Sequence, residues 1–442
     1  MSVSKFNQGL LDFLQASPTA FHAVASLRAL LEKAGYEELR EGDSWSLDRN
    51  ACYFVVRNDS AIIAFKTGRE ALLDHGIRIA GAHTDSPCLK IKPNPEIRQQ
   101  GYLQLGVEVY GGALFTPWFD RDLSIAGRIN YKDRKGAIGS ALLDVKDAIA
   151  VIPSLAIHLN RTVHENRTLN PQKELQPVVL QLGDKQRFDF DAYLLSILRK
   201  QAQHRAAQKI LAHELYLYDT QAPAVIGMEG QFIASARLDN LLSCYVACQS
   251  LIKSKSQHAS MLVCNDHEEV GSASTSGAQG PFLKSVLQRL VAASKLNEAA
   301  RSAGEDASED LHRMSSRSSF LSIDNAHGVH PNYLEKHDDK HRPVLNGGPV
   351  IKINANQRYA SNSESVALFK SICDDAKVPY QQFVMRNDMA CGSTIGPITA
   401  TETGISSLDI GVATFGMHSI REMAGSDDPA SLAKVVTRYF SR

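Results

Sequence analysis

The second half of the chain alternates short apolar runs with longer amphipathic segments, and this order constrains the fold more than any other feature. The runs predict strands at residues 232–236, 261–264, 320–324, 350–354, 382–384 and 406–410. The amphipathic segments predict helices at residues 240–253, 282–296, 363–376 and 432–441. Strands interleaved with helices favour an α/β architecture, with a mixed, mostly parallel sheet and helices on both of its faces.

The first 93 residues resemble this second half, whereas the stretch between them differs. Residues 5–35 predict a helix pair, residues 51–67 predict a hairpin around Asn58-Asp59-Ser60, and residues 77–82 predict a buried strand that leads into His83. Residues 94–230 consist of short alternating runs between glycine turns, with one helical stretch at 190–205. We therefore expect a discontinuous α/β catalytic domain, 1–93 with 231–442, and an inserted β-rich domain, 94–230. The polar stretch 301–319 is the candidate for a mobile loop.

Composition excludes several classes of protein. Lys plus Arg equals Asp plus Glu at 48 each, so no net field attracts nucleic acid or an anionic membrane. No window approaches the roughly 18 uninterrupted apolar residues of a membrane span, and the N-terminus lacks the pattern of an export signal. Seven scattered cysteines without a CxxC pair favour reduced thiols in a cytoplasmic protein.

Acidic residues and histidines follow the predicted strands in five segments. These are AHTDSP (82–87), SARLDN (235–240), NDHEEVGS (265–272), SIDNAH (322–327) and MHSIREM (417–423). In open α/β sheets, ligands bind beyond the carboxyl ends of the strands, so these segments predict one site. Two of these histidines and four of these carboxylates exceed the needs of one metal ion and suit a bridged pair. They are His83, His418, Asp239, Glu268, Glu269 and Asp324. Imidazole and carboxylate without thiolate favour zinc, cobalt or manganese.

Three of these segments also have a structural interpretation. His83 alone would be read as a hydrogen-bonded structural histidine, and Asp239 alone as the N-cap of the following helix. The alternative for the charged run at 266–269 is a solvated turn, but such a turn would more usually hold Asn, Gly or Ser. Cys244 and Cys248 are interpreted as buried apolar residues rather than ligands.

Together, the five segments resemble the aspartyl aminopeptidase family of co-catalytic zinc exopeptidases, over essentially the whole chain. The resemblance implies two divalent ions per subunit, zinc first, with cobalt or manganese as alternatives. It implies roles for seven residues: Asp239 bridging both ions, His83 and Asp324 completing one site, Glu269 and His418 completing the other, Glu268 as the general base, and Asp85 orienting His83.

The resemblance also implies a substrate and an assembly. Substrates would be peptides with a free acidic N-terminal residue, whose side chain meets Lys352. His158 of the inserted domain would reach the active site of a neighbouring subunit in a tetrahedral dodecamer, so that the insertion serves oligomerisation or acts as a lid. From the residues alone, Lys352 would be an exposed edge lysine and His158 an ordinary strand-end or interface histidine.

Two other functions remain open from the sequence. A di-metal carboxypeptidase or amide deacylase would share the His-x-Asp and Glu-Glu segments, and a metal-stabilised cage protein with a vestigial site would retain the fold. The complete set of proposed ligands argues against the vestigial site. The local histidines His327, His330, His337 and His341 find no place in the two metal sites and are interpreted as loop residues.

Overall fold

The computed structural model describes residues 4–165, 167–183, 186–297 and 307–442, which form two compact units. The first unit comprises Met1–Asp85, Pro223–Met417 and Glu422–Arg442, and the second comprises Ser86–Ala222 with His418–Arg421. Both edges of the insertion lie earlier than the sequence predicts. The strand Cys88–Gln99 pairs within the second unit, and the strand Ala224–Ile226 pairs with Phe232–Ser235 within the first.

Twenty strands are described. In chain order they are β1 Glu37–Glu38, β2 Cys52–Arg57, β3 Ala61–Lys66, β4 Ile77–His83, β5 Cys88–Gln99, β6 Tyr102–Tyr110, β7 Leu123–Asp133, β8 Ile138–Asp144, β9 Val178–Gln181, β10 Ala207–Asp219, β11 Ala224–Ile226, β12 Phe232–Ser235, β13 Ala259–Asn265, β14 Ser319–Ile323, β15 Ala326–His327, β16 Val350–Ile353, β17 Gln381–Val384, β18 Ser406–Gly411, β19 Ala413–Phe415 and β20 Glu422–Gly425.

Eleven α-helices are described. They are α1 Lys5–Gln15, α2 Ala20–Lys33, α3 Leu72–His75, α4 Pro171–Glu174, α5 Phe190–Leu198, α6 Leu238–Lys253, α7 Phe282–Asn297, α8 Ala307–Arg317, α9 Ser363–Ala376, α10 Ile395–Thr403 and α11 Asp428–Phe440. In the described part of the chain, no helix has both the length and the apolar character of a membrane span.

The first unit is built on a nine-stranded sheet with the order β1-β2-β3-β13-β4-β14-β18-β16-β17. The four central strands β13, β4, β14 and β18 are parallel, whereas the β2–β3, β3–β13 and β18–β16 pairs are antiparallel. Successive residues of these strands point to opposite faces. Ala80, Leu262 and Leu321 thus join one apolar core with α1, α2, α6, α9 and α11. Their neighbours Ile79, Met261 and Phe320 join a second core with α3, α7, α8 and α10. The mixed, mostly parallel sheet with helices on both faces is confirmed.

The predicted N-terminal helix pair is confirmed, with a local reason at each start. The side chains of Ser4 and Thr19 accept hydrogen bonds from the backbone N–H groups of Asn7 and His22, which are otherwise unsatisfied first-turn donors.

The prediction of a mobile loop at 301–319 was wrong for most of its length. Residues 307–317 form α8, and β14 begins at Ser319. Met314 is buried in the second core, and Leu311, three residues earlier, packs against the same core, so a short apolar face docks this otherwise polar helix. Residues 301–306 lie outside the described residues.

A second, five-stranded sheet of the first unit, β11-β12-β20-β19-β15, was not expected. The strand predicted at 232–236 is β12 of this sheet, where it pairs antiparallel with β11 and β20 rather than joining the main sheet.

The second unit is β-rich. Its six strands form an antiparallel sheet with the order β8-β7-β10-β5-β6-β9, and α5 packs on this sheet through Leu194 and Leu198. The helical stretch predicted at 190–205 is α5 followed by a 3-10 turn at Ala202–His204.

Candidate metal centre

Three adjacent parallel strands bring the predicted residues to one edge of the main sheet. β4 lies between β13 and β14, with His83 beside Asn265 and Gly81 beside Ser322. The residues that follow the last position of each strand therefore meet at the same end. They are Asp85, the segment from Asp266 to Glu269, and Asp324.

His83 lies between two carboxylates at this edge. Its Nε2 atom is 3.4 Å from Oδ1 of Asp239 and 3.7 Å from Oδ1 of Asp324, and all three residues are buried. Burial lowers the pKa of His83, but the carboxylates of Asp239, Asp324 and Asp85 outweigh burial and raise it well above its usual value. The site therefore favours a positive charge between its carboxylates.

The side chain of Asp239 is directed at this centre and does not cap the start of α6. The start of α6 has no side-chain cap, and Asp239 and Asn240 have non-helical backbone angles and a cis peptide bond between them. The Asp239 N–H donates to Oε2 of Glu422 at 2.8 Å, and Nδ2 of Asn240 donates to the carbonyl oxygen of Ile323 at 2.7 Å. These contacts do not support the helix-cap interpretation.

Glu268 and Glu269 follow β13 through His267, which has a left-handed backbone with φ of 63°, and lie in a 3-10 turn. One carboxylate oxygen of each glutamate and a ring nitrogen of His83 lie within 4.8 Å of one another. Burial raises the pKa of Glu268 to about 8 and that of Glu269 well above its usual value; nearby carboxylates add to this shift, and His83 opposes it. The solvated-turn interpretation is therefore not supported.

The carboxylate of Asp85 holds this turn by its backbone. Oδ1 accepts the N–H of Glu268 at 3.2 Å, and Oδ2 accepts the N–H of Glu269 at 3.1 Å. Nδ1 of His83 lies 3.0 Å from the carbonyl oxygen of Asp85 and 3.5 Å from Oδ1. Asp85 thus contacts His83 and also holds the Glu268–Glu269 backbone, which was not predicted; its role in orienting His83 remains a prediction.

Lys352 is buried, so the exposed-edge interpretation was wrong. Its strand β16 is paired on both sides, by β17 and β18. Nζ donates to Oδ2 of Asp324 and to the carbonyl oxygen of Asn325, each at 3.2 Å, and lies 5.1 Å from the ring centroid of Tyr359. Although burial raises the pKa of Asp324, Lys352 and His83 lower it below its usual value.

His418 and His158 belong to the second unit. Nδ1 of His418 lies 3.1 Å from the carbonyl oxygen of Gly112, a contact that sets the tautomer in which Nε2 carries the lone pair. His158 lies in an exposed 3-10 turn at Ile157–Leu159. The predicted roles of both histidines, as a ligand and as a residue that reaches a neighbouring subunit, remain predictions.

Two residues support the centre in ways that the sequence did not predict. Glu422 accepts the Asp239 N–H, and Cys244 donates from Sγ to the carbonyl oxygen of His83 at 3.0 Å. Glu422 stands four residues after His418 in the same segment, and this proximity was its only signal.

The chemistry of the donors fits divalent cations. His83, Asp239 and Asp324 offer three ligand atoms within 4.8 Å of one another. Several buried carboxylates are costly together unless cations offset their charge. Imidazole and carboxylate donors suit zinc, cobalt or manganese.

Comparisons with known proteins agree with this chemistry. A family model described as aminopeptidase I zinc metalloprotease (M18) matches residues 13–440. A probable M18 family aminopeptidase 2 from Pseudomonas savastanoi is 53% identical over 438 residues, covering 99% of this chain and 98% of that protein.

Solved structures are also similar. A chain in a cryo-electron microscopy structure of the Ape4 and Nbr1 complex superimposes with a TM-score of 0.93 at 35% identity, covering 100% of this chain and 87% of that one. The mApe1 dodecamer of Saccharomyces cerevisiae gives a TM-score of 0.83 at 28% identity, covering 99% and 96%.

Proposed function

The chain belongs to the M18 family of zinc metallo-aminopeptidases, which are hydrolases, and from this premise we propose that it releases N-terminal Asp and Glu residues from peptides. The observation that carries the proposal is the grouping of His83, Asp239 and Asp324 beside the half-buried Glu268, with the buried cation Lys352 in contact with Asp324.

Two divalent ions, zinc first, would be held by five residues. His83 and Asp324 would serve one ion, Glu269 and His418 the other, and Asp239 both. When bound, the ions supply Lewis-acid polarisation of the peptide carbonyl and acidify water.

Glu268 is the general base in this proposal. It groups with His83 and Glu269, and Asp85 anchors its backbone N–H. Its carboxylate takes a proton from the attacking water as the water oxygen bonds to the first peptide carbonyl carbon. The same carboxyl group then gives that proton to the leaving nitrogen as the C–N bond breaks.

Lys352 is proposed to select the acidic side chain. An ammonium group has three donors, and in the described part of the chain two of them are used by Asp324 and Asn325. The third N–H can therefore donate a hydrogen bond to a substrate carboxylate. In this buried setting, one desolvated cation discriminates strongly between acidic and neutral side chains.

We also propose a tetrahedral dodecamer in which His158 reaches a neighbouring active site. His158 lies in an exposed segment with three exposed apolar side chains, Leu155, Ile157 and Leu159. Such a patch suits burial against a second copy of the chain. A cytoplasmic location is proposed because all seven cysteines are free thiols.

A single comparison of substrates tests the proposed activity. The zinc-loaded chain is assayed with Asp-, Glu- and Leu-initiated peptides and with an N-acetylated Asp peptide. Rapid release of free Asp and Glu only from the unblocked acidic peptides is expected. Turnover of the blocked peptide would favour the carboxypeptidase or deacylase function, and zinc binding without any turnover would favour the vestigial cage.

A further inference from the structure

A second cluster of possible ligands lies apart from the candidate centre. Glu70, His75 and His258 each offer one ligand atom, and these atoms lie within 4.8 Å of one another. Oε2 of Glu70 is 2.9 Å from Nε2 of His75 and 3.3 Å from Nδ1 of His258. The two imidazole rings face each other, with centroids 4.6 Å apart and planes inclined by 31°.

The backbone holds these residues in place. The N–H groups of Arg69 and Glu70 both donate to the carbonyl oxygen of Gln257, at 2.8 and 3.0 Å. At Gly68, which has a φ of +72°, an added Cβ would lie only 2.7 Å from the carbonyl carbon of His258. The two segments that carry the cluster are therefore in direct backbone contact before any ion binds.

The spacing of the ligand atoms is close to that of a tetrahedral zinc site. Zinc bonds to nitrogen and oxygen of about 2.0–2.2 Å place neighbouring ligand atoms about 3.3–3.6 Å apart. The distance from Glu70 to His258 fits this range, and the distance from Glu70 to His75 is a few tenths of an ångström shorter. Nδ1 of His258 is also buried and makes no hydrogen bond within the described residues, although it is directed at the carboxylate. The ion pair with Glu70 is its contact here, and a metal ion between the two groups would satisfy both.

We propose that Glu70, His75 and His258 form a peripheral zinc-binding site that joins the segment of α3 to the loop before β13. Two imidazoles and one carboxylate leave the fourth position of the ion for water. The cluster lies at the amino ends of β4 and β13, and each strand spans seven residues, roughly 20 Å, to the candidate centre at its other end. The ion would therefore brace these two strands without entering the reaction.

Anomalous diffraction locates the ion directly. Crystals of the zinc-loaded full-length protein are measured on both sides of the zinc absorption edge. An anomalous peak among Glu70, His75 and His258, in addition to peaks at the candidate centre, supports the site. Peaks at the candidate centre alone, from crystals grown with micromolar free zinc, would overturn it.

Zinc counting in solution is an independent test. Wild-type protein and the exposed-residue variants His75→Ala and Glu70→Gln are dialysed against micromolar zinc, and bound zinc is measured by mass spectrometry. Each variant should bind one zinc fewer per chain than wild type, whereas His312→Ala, an exposed histidine of α8, should bind the same number as wild type. Equal zinc content in wild type and both cluster variants would refute the proposal, whatever the peptidase activity.

Discussion

At the residue scale, the candidate centre depends on contacts that pair distant parts of the chain. Asp85 and the Glu268–Glu269 turn are joined by two hydrogen bonds, and Asp239 is joined to Glu422. The sequence could predict most of the charged residues because they follow strands. It could not predict these pairings, since no local pattern relates residues so far apart in the chain.

Asp85→Asn tests the backbone anchor. An asparagine side chain has one oxygen acceptor, and its NH2 group would face one of the two backbone N–H donors. The Glu268–Glu269 turn should shift, and kcat/KM should fall about 10- to 100-fold, as for other residues that support metal ligands. Measured kcat/KM equal to wild type, at equal zinc content, would contradict this role.

Glu268→Gln tests the general base. The amide nearly matches the carboxylate in shape but cannot take a proton, so kcat for an Asp-initiated peptide should fall about 10²- to 10⁴-fold. Zinc content should be unchanged because Glu269, not Glu268, is the proposed ligand. Glu229→Gln, on an exposed glutamate, is the matched control. Retention of turnover in Glu268→Gln would eliminate the assignment.

Lys352→Met tests specificity while keeping most of the buried volume. Loss of the ammonium group removes one of the cationic partners of Asp324, so all substrates should be affected to some degree. The diagnostic quantity is the ratio of kcat/KM for Asp- and Leu-initiated peptides, which should fall at least about tenfold. An equal loss for both peptides would remove Lys352 from substrate selection.

At the element scale, a strand or helix is predictable from the sequence where its apolar pattern extends over enough residues. The strands at 350–354 and 406–410 and the helix at 363–376 are observed within one or two residues of their predicted ends, because each has a strong apolar period. The strands β15, β19 and β20 have two to four residues and carry no detectable period. Helix α8 was not predicted because its serine, acidic and basic residues outnumber the few apolar residues of its buried face.

Gly81→Ala tests the packing of the central strand β4. An added Cβ would overlap the buried ring of Phe320 and lie 3.1 Å from Cδ1 of Ile395. Overpacking of this kind destabilises a core by about 1–3 kcal/mol, which should appear as a lower midpoint of thermal denaturation. Gly42→Ala, where nothing lies within 4 Å, should leave the midpoint unchanged. Equal midpoints for both variants would show that β4 accommodates the added methyl group without loss of stability.

At the scale of the whole molecule, the native mass tests the proposed assembly. The proposed dodecamer predicts a native mass far above the 48.4 kDa of one chain, measurable by light scattering. Leu159→Glu should reduce that mass because it places a charge in the exposed apolar segment, while Met228→Glu, on a side chain 99% exposed, should not. A monomeric wild-type protein would also remove the proposed role of His158.

The discontinuity of the first unit also has a consequence during synthesis. β4 is made early, but both of its neighbours in the sheet, β13 and β14, follow the long segment Ser86–Ala222 of the second unit. At ribosomal rates of about 5–20 residues per second, the interval between β4 and β13 is roughly ten to thirty seconds. Throughout that interval, a nascent apolar strand has two unpaired edges, each of which could pair with a strand of another chain. The strand that carries His83 is therefore a part of the newborn chain that needs protection from mispairing, as by a chaperone.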